Sequence, residues 1–541
     1  MLDKLTGKPV HYYIQLVAMM GIAAGLPFSK IPLSIGTVLL GLNVILLWDW
    51  RMVWKSWSSN RWLWLLFAYF AMELLSVFWT SDKHEAWNMI RRELTLYAIP
   101  LTLIAIPLTA FKHYKWVVLS FLSAVFITSF INVGTYFHWW GSKVYDDIRS
   151  LSLFVSHLRY AMMIVLALVF CAAWWIRRFP YRWIAVALAA WFIYYTILSQ
   201  IWMGVFTLSG IVLMMFWFKV KSIRRLWIKR SFILAFSACI LFVGIFLYIK
   251  LQPVPHKVEL SSSDYVRKTI NGNPYTFDVL SKMNWENGYP VQAFIADEEL
   301  EKEWSKSSRV NYRTGVDLKG NPIRNILWRY MTSKGLRKDS LDFQKMSKQD
   351  IRNVEMGFAS IEMAKGGISA QLYRMRSQLK DAEDPNGKSL LEKIESLKAG
   401  ITIIKAHPIC GVGVGDMRKS FAHAYRTNGS KLKMDEHILL THNQFLTTWI
   451  AGGIICFLAF IGFWFIQLAT ALRINAFEWT GFLVITMLSF LIEDTLQTQT
   501  GVSFVAFFFA FFITGRTILY PGRAVERTER SMKAKSTSRQ I

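Results

Sequence analysis

His442 and Asn443 stand at the mouth of an otherwise apolar run, LLTHNQFLTTWIAGGIICFL, residues 439–458. An unperturbed imidazole titrates at about 6.5, so at neutral pH it can take a proton from an attacking hydroxyl. A histidine satisfied by a backbone carbonyl is the alternative, and the residues alone leave the two level. Arg159 lies about one turn inside a second apolar run, SLFVSHLRYAMMIVLAL. A cation at that depth needs a partner. Glu73, at comparable depth in FAYFAMELLSVFW, could neutralise it; otherwise the guanidinium fork fits a phosphate group.

Two other patterns carry less chemistry. GVGVGD, residues 411–416, lacks the GK[ST] of a phosphate loop and the GxGxxG of a dinucleotide fold, and reads as a glycine-rich turn that lets two backbones approach. There is no HExxH, and Asp146 with Asp147 is the one carboxylate pair of note outside the apolar runs, better read as solvating a loop. Cys171, Cys239 and Cys456 lie in apolar runs and Cys410 stands alone, which leaves no disulfide framework and no metal quartet. We therefore expect no metal and no cofactor. An anionic leaving group would have to be met by Arg and Lys; Arg91, Arg92, Arg337, Arg374, Arg376 and Lys393 are available, although loop charges are otherwise merely solvated.

These residues sit in a chain built for lipid. Of its 541 residues 53% are hydrophobic, with 24 Trp and 39 Phe, and apolar stretches of about 17 to 25 residues recur along it. The formal charge of +26 resides in short basic clusters between those stretches, where cytoplasmic anchors stand, so nucleic acid is not implied. About twelve spans are expected, starting near Tyr12, Ile31, Trp62, Leu94, Trp116, His157, Trp183, Gln200, Phe232, Phe445, Trp479 and Val502. The first is read as retained rather than as a cleaved signal. With both termini cytoplasmic, the basic loops and the tail from Arg523 fall on one side. Residues 81–93, 138–156 and 494–500, the turn at Ser199 and one long insert fall on the other.

The organisation expected is an N-terminal membrane bundle over 1–251 and an external, mainly helical domain over 252–440. Three membrane helices over 441–520 and a basic tail over 521–541 follow. Within the insert, SKQDIRNVEMGFASIEMAK reads as a helix with Ser347 as N-cap and Asp350 at its third position. DPNGKS, residues 384–389, reads as a turn. Leu390, Ile394, Leu397, Ile401 and Ile404 fall at helical spacing before Pro408 stops the helix.

Taken together, KAGITIIKAHPICGVGVGDM and THNQFLTTWIAGGII resemble the C-terminal region of the O-antigen ligase and O-antigen polymerase superfamily. His442, Asn443 and, after nine intervening residues, Gly453 meet the family's spacing, whereas Cys456 departs from it. ILWRYMTSKGLRKDS, EDTLQTQTGVSF and SHLRY are similar to segments of one branch, so the resemblance runs from Arg159 to Phe504. It implies a multi-pass bacterial inner-membrane glycosyltransferase of the GT-C type, inverting and metal-independent, active on the periplasmic face. The donor would be a glycan on undecaprenyl diphosphate and the acceptor a hydroxyl of the lipid A core. His442 would be the base, Asn443 its orienting neighbour, and Arg159 and Lys393 the diphosphate ligands, to which the reading of the external cations adds Arg337 and Arg92. Many members carry Arg at the start of the eighth span, where this chain reads SQIWMG, and Arg where Lys393 stands here. An O-antigen polymerase and a protein O-glycosylation ligase share this chemistry. A lipid-linked-sugar transporter is the rival of another class, one that gives His442 no role.

Overall fold

In a computed structural model of the chain, residues 9–58, 63–140, 151–252, 254–255, 257, 267–277, 284–318, 320–380, 385–386, 388–433 and 438–520 are described. The Asp146/Asp147 pair, the tail from Arg523 and parts of the turn at 384–389 lie outside them. The protein is an all-α, multi-pass membrane protein that divides into two compact units, Met1–Arg230 with Asp384–Ile541, and Ser231–Glu383.

The first unit opens with α1 (Pro9–Phe28), α2 (Lys30–Leu47), α3 (Trp50–Ser58), α4 (Leu63–Ser76) and α5 (Lys83–Ala105). It continues through α6 (Phe111–Tyr136), α7 (His157–Ile176), α8 (Arg182–Ser199) and α9 (Trp202–Ser222). Helix α10 (Leu226–Leu251) leads out of it. The second unit holds α11 (Asp297–Ser307), α12 (Ile323–Ser333), α13 (Ser340–Phe343), α14 (Lys348–Glu355), α15 (Ile361–Ala364) and α16 (Gly367–Lys380), with one small hairpin, β1 (Trp285–Glu286) against β2 (Tyr289–Pro290). The chain then rejoins the first unit as α17 (Ser389–Ala406), α18 (Met417–Thr427), α19 (Gln444–Arg473), α20 (Phe477–Ile492) and α21 (Gln499–Leu519).

Among the described residues nine helices are long and apolar enough to cross a membrane, and α4 and α20 are shorter apolar helices. Helix α5 stands where the span near Leu94 is expected. Its start differs from the expectation: residues 83–93 are helix rather than loop, so the helix begins eleven residues before Leu94. Asp82 caps it by accepting from the Glu85 amide, and Ala86, Met89 and Ile90 recur at helical spacing on a buried side. That extension carries Arg91 and Arg92. Helix α21 is apolar all round, with Phe504, Phe507, Phe508, Phe509, Phe511 and Phe512 all buried, as befits the middle of a bundle.

A separate small core sits at the end of the first unit where α5, α17, α18 and α19 meet, built from Met89, Ile90, Ala399, Ile403, Phe421 and Ile450 among others. Helix α17 forms where expected but presents Leu391, Ser396, Ala399, Gly400 and Ile403 inward, leaving Ile394 and Ile401 exposed. Small residues win that face because the neighbouring chain comes close: a Cβ at position 400 would lie 2.6 Å from the Thr441 methyl. In the second unit the expected capping box of Ser347 and Asp350 is present. The helix ends at Glu355, however, since Gly357 adopts a left-handed φ of 79°.

The GVGVGD segment is the bland alternative made concrete. Helix α19 is broken at Gly453, where φ is 75° and ψ −170°, a region open essentially to glycine alone. The carbonyls of Ile450 and Ala451 accept from Val412 and Gly413 at 2.8 and 3.0 Å, and the Ile454 amide donates to Pro408 at 3.1 Å. Asp416, at the other end of the same strap, accepts from the Ser81 hydroxyl at 2.7 Å and the Asp82 amide at 3.1 Å. One strap thus ties the break in α19 to the N-terminus of α5. A side chain at 453 would overlap the Ile409 carbonyl. Gly453→Ala is expected to destabilise the first unit by about 3 kcal/mol or more, read as a lowered thermal midpoint of the purified protein in detergent.

Candidate functional site

Helices α7, α19 and α21 begin, and α20 ends, at the same end of the first unit, which brings Arg159, His442 and the 493–500 loop together. His442 has a φ of 50°, a left-handed conformation that a non-glycine residue adopts only when held. Asp494 holds it by accepting the His442 amide at 3.0 Å and the Thr447 hydroxyl at 2.6 Å. Asn443 is the N-cap of α19, its side chain accepting from the Leu446 amide at 3.1 Å and donating to the Leu491 carbonyl at 3.2 Å. Asn443 therefore fixes where the imidazole stands.

The imidazole faces Glu493, Nδ1 to Oε2 at 3.5 Å, and is partly open to solvent. The other oxygen of Glu493 pairs with Lys393 at 3.2 Å, and Lys393 also donates to the Ile492 carbonyl at 3.0 Å. Burial pushes the Glu493 carboxyl up, but the His442 hydrogen bond and the charges of Lys393, His442 and Arg159 outweigh it and hold the group at about 2. Burial dominates at Asp494 and raises it above the usual carboxylate value, despite the Thr447 and His442 bonds.

Beside this cluster lies a cavity of about 770 Å³ lined by Lys30, Arg91, Arg92 and Arg159, by Phe154 to Ser156, and by Gln497 to Thr500. Among the described residues only Arg92 of these four cations is held by a carboxylate, Glu85 at 3.4 Å. Arg159 also reaches the Ser156 hydroxyl at 3.5 Å. Four cations around one cavity and no acidic side chain among its described lining residues suit a multiply charged anion.

Of the residues singled out from sequence, Arg159, Arg91 and Arg92 line this cavity, and His442 is joined to it through Glu493. Lys393 does not line it; the carboxylate of Glu493 has captured it. The proposed Glu73 partner of Arg159 is a correction: Glu73 is buried and shares a hydrogen bond with Glu93, while Arg159 senses the charges of Glu493 and Asp494. Arg337 belongs to the second unit, where its guanidinium lies 5.1 Å from the Phe294 ring centre and its amide donates to Asp342 at 2.7 Å. Lys30 and Glu493 are the residues whose place sequence did not assign. Glu493 stands in EDTLQTQTGVSF, fifty-one residues from His442, and only the antiparallel packing of α19 and α20 brings it there.

Because Glu493 titrates lower folded than the roughly 4.3 of a free glutamate, its contribution to stability is complete above that value and is lost as pH falls toward about 2. Glu493→Gln should therefore lower the thermal midpoint by a constant amount from neutral pH down to about pH 5. The gap to wild type should close only in stronger acid, as followed by fluorescence melts.

No curated protein matches the chain. The match to a family model spans Lys393, the GVGVGD strap, His442, Asn443 and Gly453 but neither Arg159 nor Glu493: residues 356–461 of the chain are similar to the model described as O-antigen ligase.

Proposed function

We propose that this protein is an inverting membrane glycosyltransferase that moves a glycan from undecaprenyl diphosphate to an acceptor hydroxyl, most simply on the lipid A core. The observation that carries the reading is the juxtaposition of a four-cation cavity, in which among the described residues only Arg92 has a carboxylate partner, with a histidine held by a carboxylate. The family match supports the coarser class, a membrane glycosyltransferase of the O-antigen ligase or polymerase type.

In this mechanism the diphosphate occupies the cavity against Arg159, Arg91, Arg92 and Lys30. The bond from the anomeric carbon to the diphosphate oxygen breaks, the electron pair leaves with the diphosphate, and the cations stabilise the charge that develops. The acceptor oxygen attacks from the opposite face, which inverts the anomeric centre. His442 takes the hydroxyl proton on Nε2, because Glu493 holds Nδ1–H and stabilises the imidazolium formed. Lys393 balances Glu493, and Asn443 positions the imidazole without touching substrate. The inner membrane, a periplasmic active site and cytoplasmic termini belong to the same proposal.

His442→Ala should leave the protein inserted and its melting within a few degrees of wild type, while transfer falls by about two to four orders of magnitude; surface glycan at the normal level in that variant would refute the base assignment. Arg159→Lys should impair transfer more than Lys393→Arg, because only the first removes a fork from the cavity. Deletion of the gene separates the family's two reactions. Long glycan stranded on its carrier lipid marks a ligase, and a core capped by a single repeat marks a polymerase.

A further inference from the structure

Behind the cationic cavity lies a second void, of about 10 Å³, room for one water molecule. Glu73 of α4 and Glu93 of α5 line it, together with Tyr69, Gln444, Thr447 and Gln497. Both carboxyls are buried, 4% and 5% exposed. Glu93 accepts from the Tyr69 hydroxyl at 2.9 Å and from the Gln497 amide at 3.4 Å, and the two carboxyls are hydrogen-bonded to each other. The second oxygen of Glu73 is buried in this lining without a partner among the described residues.

A hydrogen bond between two carboxyl groups requires a proton, and two bare carboxylates in contact away from water would repel strongly. The donors around Glu93 mark it as the carboxylate and Glu73 as the acid. The titratable and charged groups that act on the pair are Tyr69 from α4, Arg92 and Tyr97 from α5, and Cys456 from α19. The loop before α21 contributes only the Gln497 amide. Two features join the pair to the donor cavity: Gln497 lines both voids, and Arg92, a wall of the larger one, is the residue before Glu93.

We propose that Glu73 and Glu93 form a proton-binding site whose single proton sets the affinity of the neighbouring cavity for a lipid diphosphate. The inference rests on the donor reading above. Loss of the shared proton would place a second negative charge behind the cationic wall and oppose the anion; by linkage, anion binding favours the protonated pair.

The test is the affinity of undecaprenyl diphosphate for the full-length protein in lipid nanodiscs from about pH 6 to about pH 9, wild type against Glu73→Gln. Ionisations of the probe and of His442 are common to both proteins and cancel in the comparison. Wild type should lose affinity relative to Glu73→Gln as pH rises, by up to about tenfold per pH unit; superimposable profiles would overturn the proposal. If Glu73→Gln does not fold, the heat of binding to wild type in buffers of differing ionisation enthalpy should show net proton uptake, and release or no exchange would overturn it. Replacing sodium by choline should change nothing, and affinity that follows sodium instead of pH would make this a cation site and defeat the proton. Failure of the probe to bind either protein at any pH would withdraw the donor reading itself, a result distinct from matching profiles.

Discussion

The site end of the first unit depends on one carboxylate. Glu493 caps the end of α20, and its two oxygens meet Lys393 and His442 while its charge reaches Arg159. The last turn of a helix leaves carbonyls unpaired, and here those of Leu491 and Ile492 accept from Asn443 and Lys393. The C-terminus of α20 thus meets the N-terminus of α19, where the two helix dipoles attract each other. Without Glu493, Lys393 would lose its counter-charge and the imidazole its orienting anion, while the backbone of His442 would still be held by Asp494.

Backbone strain is concentrated at two points of the same helix, the left-handed His442 just before α19 and the break at Gly453 within it. The two have a common consequence. The break frees carbonyls that the GVGVGD strap satisfies, and the far end of the strap, through Asp416, pins the loop that starts α5. The helix that His442 leads into and the helix that presents Arg91 and Arg92 are therefore referenced to each other through a few rigid backbone bonds, not through long side chains. This gives the His-to-Gly spacing a physical meaning: it sets the distance along α19 between the imidazole and the point where the strap enters.

What could be read from sequence follows the range of the interactions involved. Membrane helices are declared by local hydropathy, and the nine described helices long and apolar enough to cross a membrane were all legible; the capping box at Ser347 and the helix stop before Pro408 are equally local. His442 and Asn443 could be found because apolar runs rarely open with HNQ. Arg92 was legible only as a loose charge, since the extension of α5 into polar residues is decided by packing of Met89 and Ile90 on α17 and α18. Lys30, at the start of α2, carries no local signal at all. The pairing assigned to Glu73 failed for a related reason: depth in the membrane can be estimated from sequence, but azimuth around a helix depends on the neighbour, and Glu73 faces α5 rather than α7.

Carboxylates and cations at this end are sorted by depth and by use. Glu85 is spent on Arg92, Glu493 on Lys393 and His442, and Glu93 on Tyr69, Gln497 and its own neighbour Glu73. What remains for a guest is positive: Lys30 from α2, Arg91 from α5 and Arg159 from α7, each on a different helix. Surface cations left this way would be screened and weak, but a cavity walled by apolar helices lowers the local dielectric and strengthens every contact to an anion. Cations fixed by helix packing also need no rearrangement to meet an anion, whereas flexible loop cations would have to be gathered first. The arrangement favours an anion that arrives with its own apolar tail, because such a ligand can seat its charge in the cavity while its hydrocarbon stays in the lipid around the bundle.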